Sequence, residues 1–341
     1  MGGFNRRDFL RASALAVGTI VVSSGLQGCL SSSSSSSDDE AVRGLAFEHG
    51  VASGDPLSDR VLLWTRITPT DGNNAEVQIG WEIATDSAFT DLVHSGTAST
   101  NAARDFTLKV DAQDLLPGTS YYFRFKVAGL TSPVGRCKTL PAGSIEQVRF
   151  AVLSCSNYPA GLFHVYAAAA AEAELDAVLP LGDYIYEYAM GEYATGDAEA
   201  LNRVPDPLHE IVSHADYVAR HAQYKSDPDL QALHAAAPWI MSWDDHETAN
   251  NSWVDGAGNH DPETEGRWLA RRDAALTAYF EWMPMRDPEA GQAAERLNRV
   301  YDFGQVGTVL VIESRLTGRD AQLTGACGVA FDPAERRVAL A

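Results

Sequence analysis

Basic residues are scarce in this 341-residue chain: 26 Lys and Arg stand against 46 Asp and Glu, a formal net charge of −20. A balance of that sign argues against a surface for nucleic acid or acidic lipid. It leaves anionic small molecules open, because bound cations reverse the local field. Cysteine is sparse too, with four in the chain, and internal repeats are missing altogether. The length favours two domains over one, and the apolar share of 45% is that of a globular protein.

The first forty residues read as an address and a tether. Asn5-Arg6-Arg7-Asp8-Phe9-Leu10 carries a twin-arginine core, and 12–26 is uncharged and mostly small or apolar. That stretch is too short for a comfortable membrane span but suits a signal-peptide core. It resembles the leader of a protein exported folded through the Tat translocase. Leu26-Gln27-Gly28-Cys29 followed by the serines Ser31 to Ser37 is similar to a lipoprotein cleavage site with a flexible tether, which makes Cys29 the expected lipid anchor. The leader then occupies 1–29 and the tether 30–44, and the expected location is the periplasm or cell envelope. Cys137, Cys155 and Cys327 remain, an odd number for an oxidising compartment, so one of them is expected to have another task.

Residues 45–140 read as an all-β module. Val61 to Thr65, Val77 to Ala84, Phe106 to Val110 and Tyr121 to Val127 are short runs rich in β-branched and aromatic residues, separated by turn signals at sandwich-like spacing. Leu116-Pro117-Gly118-Thr119-Ser120-Tyr121 resembles a tyrosine corner. His49 and Asp55 are read as structural, since nothing near them in sequence completes a site. After a linker at 141–147 the pattern changes to strands alternating with helices, from 148 to 341. Strands are expected at Val148 to Leu153, 177–182, Trp239 to Trp243 and Val306 to Ile312. Helices are expected at 162–177, 207–226, 228–236 and 264–283. The class is α+β.

Four polar clusters each follow an apolar run, where open α/β sheets place their ligand crevice. Asp183 closes the run Val178-Leu179-Pro180-Leu181-Gly182, with Tyr186 three residues on. Such an aspartate caps a helix or ligates a metal, and a phenolate beside it is a hard anionic ligand. Cys155, with Asn157 two residues later, follows Val148 to Ser154. A small core side chain, a nucleophile with a base beside it and a thiolate ligand are all open to it. Asp244-Asp245-His246 follows a bulky run, and adjacent carboxylates there need a cation or ordered donors. The histidine suits a ligand or a proton donor. Arg315 follows Val309 to Glu313, and its fork suits phosphate oxygens. Together the set fits a hydrolase of two or three metals acting on phosphate esters.

These motifs resemble those of PhoD-type alkaline phosphatases in the metallophosphoesterase superfamily. The matching stretches are the Tat-type leader, Gly50-Val51-Ala52-Ser53-Gly54-Asp55-Pro56, Trp64-Thr65-Arg66, Ser154-Cys155-Ser156-Asn157, Leu181-Gly182-Asp183-Tyr184-Ile185-Tyr186-Glu187, Ser226-Asp227-Pro228-Asp229-Leu230-Gln231 and Trp243-Asp244-Asp245-His246-Glu247. The resemblance implies a fibronectin- or Ig-like β-sandwich followed by a four-layer α/β/β/α catalytic domain. It also implies alkaline hydrolysis of phosphate mono- or diesters at an iron(III)–calcium site. Cys155, Asp183 and Tyr186 would hold iron, with Asp183 bridging, and Asp245, with Asp244 and Asn157, would serve calcium. His246 would contact the phosphate and assist the leaving group, and Arg315 would clamp the anion. Two departures stand out. Glu313-Ser314-Arg315 replaces the family's Asp-Thr-Arg, and no histidine follows His260, whereas the family ends in a Gly-Asp-x-His cluster. The expectation is a chain shortened at its C-terminus, and the competing reading is a non-catalytic cell-surface binding protein.

Overall fold

Strand Ser120–Val127 shows how the β module is built: Tyr121, Phe123, Phe125 and Val127 are buried and alternate with partly exposed neighbours, as a half-buried strand must. In the computed structural model, which describes residues 44–322, this strand lies antiparallel between Gly135–Lys138 and Val77–Ala84, and Leu92–Thr100 forms the far edge. The short Leu130–Thr131 strand also pairs with it. A second, antiparallel sheet orders Val51–Gly54, Val61–Arg66 and Thr107–Ala112. Ile79, Ile83, Val61, Leu63, Val110, Phe123 and Phe125 belong to one core cluster. The expected corner is present: the buried Tyr121 hydroxyl accepts from the Leu116 N–H at 2.8 Å. The leader, Cys29, the serine tether and Cys327 lie outside the described residues.

The passage into the α/β region is a change of architecture without a break in contact. The backbone at Trp239 lies between the two regions. On one side Trp239 N–H donates to Ser53 O (2.8 Å) and Asp55 N–H to Trp239 O (3.0 Å). On the other, Val178 N–H donates to Pro238 O and Ile240 N–H to Val178 O, both at 2.9 Å. Gly54 is required at this seam, since a Cβ there would stand 2.1 Å from Pro284 O and 2.6 Å from Trp239 O. Trp64 of the β module packs in the α/β core, and its indole N–H donates to Glu281 O at 2.9 Å.

Asp55 closes the same seam. Its carboxylate accepts from Arg299 Nη1 (3.0 Å), Arg296 Nη2 (2.8 Å), the Arg286 N–H (3.0 Å) and the Tyr301 hydroxyl. Burial alone would raise its pKa. Arg299, with the Tyr301 hydroxyl, the Arg286 N–H and Arg296, outweighs burial and holds the group below its usual range.

Strands Phe150–Leu153 and Ala177–Pro180 pair in parallel, with Leu153 opposite Pro180. Arg299–Asp302 and Thr308–Val311 form an antiparallel hairpin. The helices are His164–Ala170, His214–Lys225, Pro228–Ala236 and Trp268–Trp282. The helix expected from residue 207 begins at His214 because Ser213 and Asp216 form a reciprocal capping box there. Asp227 caps the next helix through the N–H groups of Asp229 and Leu230.

Three expectations change. Trp239 to Trp243 pairs as strand only at Trp239. Beyond it, side chains take the carbonyls that a neighbouring strand would have used: Arg299 binds Met241 O, and the Tyr279 hydroxyl binds Ser242 O at 2.9 Å. The helix expected over 162–177 stops at Ala170, and Glu174 turns the chain with a φ of 59°. The apolar runs expected as strands are not buried throughout: Val152, Leu181, Leu310 and Ile312 are all more than half exposed among the described residues.

Candidate metal centre

The parallel pairing of Phe150–Leu153 with Ala177–Pro180 puts the two following loops side by side. Beyond the strands, Cys155 N–H donates to Gly182 O (3.3 Å) and Ser156 N–H to Asp183 O (2.8 Å). Cys155 and Asp183 sit at φ 60° and 55°, in the left-handed region, at a cost of about 1–2 kcal/mol each. Strain of this kind gathers where the surroundings hold a side chain in a required direction. Gly182, at φ 111°, lets a third loop approach, since a Cβ on it would lie 2.3 Å from Asp244 N.

Four loops therefore converge. Cys155 Sγ donates to Asp183 Oδ2 at 3.4 Å, and the Tyr186 hydroxyl donates to the same oxygen at 3.2 Å. Asp183, Asp245 and His246 bring ligand atoms within 4.8 Å of one another and form a group able to hold a metal ion. Arg315 Nε bonds Asp244 Oδ1 at 2.5 Å, and its Nη2 lies 3.3 Å from Asp245 Oδ1. Asp244 thus turns toward Arg315 and is not among the three clustered ligands. Four of the buried atoms with no hydrogen-bond partner among the described residues are here: Asp183 Oδ1, both polar atoms of the Asn157 side chain, and Arg315 Nη1. Unsatisfied buried groups in such a cluster mark the place of an ion or ligand.

The electrostatics agree. Burial, with Asp245 and Asp244 nearby, raises the Asp183 carboxyl above its usual pKa against the opposing pull of His246. Burial and the adjoining Asp183 push the Tyr186 phenol well above its ordinary value. A cation among these groups would reverse both trends. Burial would lower the His246 pKa, but the Glu187 carboxylate, 2.8 Å from Nδ1, outweighs it and lifts the imidazole to about 9.

Three buried glutamates hold the loops, and reasoning from residue types did not single them out. Glu187 accepts from His246 Nδ1, from Asn250 N–H (2.6 Å) and from Asn259 Nδ2 (2.9 Å). Glu247 accepts from the N–H groups of Tyr184 (2.6 Å) and Asp244 (2.9 Å), so one carboxyl spans the second and third loops. Glu313 accepts from Trp243 Nε1 (3.1 Å) and from the N–H groups of Arg315, Leu316 and Thr317 at 2.8–2.9 Å, fixing the fourth loop against the third. Each stands within two residues of a candidate site residue, but nothing in its residue type sets it apart from a surface carboxylate.

A nucleophilic role for Cys155 finds no support in its surroundings, because the groups beside its sulfur are a carboxylate and a phenol, where such a mechanism needs a base such as histidine. Cys137 is buried and pairs with no other cysteine among the described residues, and burial pushes its thiol up.

Comparison with known proteins follows the same outline. The PhoD-like phosphatase family model matches residues 150–338, and the model of that family's N-terminal domain matches 32–141. Alkaline phosphatase D of Bacillus subtilis (strain 168) is 40% identical over 282 residues, covering 79% of this chain and 46% of that protein. A solved structure of PhoD superposes with a TM-score of 0.74 at 39% identity, covering 82% of this chain and 53% of that one. The chain thus spans about half the length of these relatives.

Proposed function

The chain belongs to the PhoD-like phosphatase family, and from that premise we propose that it hydrolyses small phosphate esters at the cluster centred on Asp183. The observation that carries this reading is the meeting of a thiol and a phenol on one carboxylate oxygen, beside a second carboxylate and an imidazole. The donor set fits the ions that the family resemblance implies. Cys155, Asp183 and Tyr186 offer sulfur, carboxylate and phenolate to iron(III). Asp183, Asp245 and the unpartnered Asn157 offer oxygens to calcium, an oxygen-seeking ion. When bound, these ions supply the positive charge that activates water and offsets charge developing at phosphorus.

The remaining roles belong to the chain itself. Nδ1 of His246 is committed to Glu187, which leaves Nε2 for the substrate. As water attacks phosphorus and the ester P–O bond breaks, Nε2 gives its proton to the departing alcohol oxygen. Arg315, whose Nη1 has no partner, exchanges contacts with Asp244 and Asp245 for phosphate oxygens. Asp244 then serves to park that guanidinium. The leader motif supports export through the Tat translocase and anchoring at Cys29, with action in the cell envelope.

The test is turnover of p-nitrophenyl phosphate by the purified chain above pH 8. The expected result is hydrolysis that a calcium chelator abolishes and added calcium restores. Turnover indifferent to chelation would contradict the reading.

A further inference from the structure

We propose that a cavity beside Cys155 receives the organic group of the phosphate ester, so that the protein prefers esters of apolar alcohols. The inference rests on the hydrolysis proposed above and assigns the part of the substrate that carries no charge. The cavity, of about 240 Å³, is walled by Ala160, Leu162, Phe163 and Val165 and also by Cys155 and Asn157. The last two belong to the candidate metal centre as well, and Cys155 Sγ stands 3.4 Å from Asp183 Oδ2. Cys155 is exposed, and its side chain is common to the site and to the cavity. An ester held at the centre therefore has this space beside it for its substituent.

The walls are fixed from behind. Phe163 and Tyr166 are buried, with ring centroids 5.2 Å apart. Phe163 also packs on Tyr158, and the Arg203 guanidinium lies 4.4 Å from its ring centroid. The Tyr166 hydroxyl bonds that of Ser156, which ties helix His164–Ala170 to the loop of Cys155. Leu162 and Val165, the chain neighbours of these two anchors, are 52% and 59% exposed. Two apolar side chains left in water on one wall mark a surface for an apolar ligand, and a preformed wall loses little freedom on binding. The volume lies below the roughly 300–1,000 Å³ of a drug-sized site, which suits a short alkyl chain or a single ring. Each methylene buried there is worth roughly fourfold in affinity.

The test is calorimetric binding of methyl-, ethyl- and propylphosphonate to the full chain loaded with iron and calcium. Propylphosphonate is expected to bind about tenfold more tightly than methylphosphonate. That gain should collapse toward one in the double variant Leu162→Ser, Val165→Ser, while methylphosphonate binds it as it binds the parent. It should persist in Leu208→Ser, which alters a leucine that is 62% exposed and stands outside the cavity. Equal affinities in the parent chain, or a gain that survives the double substitution, would overturn the inference and leave the hydrolase reading standing. Failure of the parent chain to bind any of the three phosphonates would overturn both.

Discussion

Replacing Asp183 by alanine should lower phosphate-ester turnover by at least about 10²–10³-fold and strip the chain of tightly held metal. Asp183 Oδ2 receives both Cys155 and Tyr186, and the carboxylate also groups with Asp245 and His246. Without it, the thiol and phenol lose their shared acceptor, and the proposed metal site loses a carboxylate that groups with Asp245 and His246. The loop itself should survive, because Glu247 holds the Tyr184 N–H independently and Ser156 N–H bonds the Asp183 carbonyl, which alanine retains. Elemental analysis alongside steady-state kinetics checks the prediction. Parent-like metal content in Asp183→Ala would place the metal elsewhere.

The second large effect is on stability. Asp55→Ala should destabilise the fold by about 3–5 kcal/mol, because it leaves Arg299, only 5% exposed at its side chain, facing a void with Arg296 and Arg286 close by. For a domain of this size that corresponds to roughly 10 °C in melting temperature. The sign with pH follows from the depressed pKa of the carboxyl. Its contribution is present above the unfolded value near 4 and is lost as the pH falls through the lower folded value, so the gap between parent and variant should narrow in acid. Thermal unfolding at pH 7 and in acid measures both. A melting point within about 2 °C of the parent at pH 7 would show that the seam is held otherwise.

Asp55 also shows where sequence reading runs out. It was legible as structural, but its partners lie more than 230 positions away, and nothing local announces an aspartate met by three arginines and a tyrosine. The same limit explains the missed strand Leu92–Thr100, whose Ser, Thr, Gly and His content carries no apolar alternation because it is an exposed edge. Strands with strong alternation, such as Val77–Ala84 and Ser120–Val127, were legible nearly to the residue. At the site, Cys155, Asp183, Asp245, His246 and Arg315 were legible because each stands just past an apolar run, and strand ends are where crevices form. The glutamates were not. A carboxylate that accepts backbone N–H groups is indistinguishable by type from one in solvent, and only packing tells Glu187 from an ordinary surface residue.

In the proposed site, side chains from separate loops share a cation at Asp183. Iron K-edge X-ray absorption on the iron-loaded chain, set against Cys155→Ser, tests it most directly. One sulfur neighbour to the iron is expected in the parent and none in the variant. A parent spectrum explained by oxygen and nitrogen neighbours alone would contradict it.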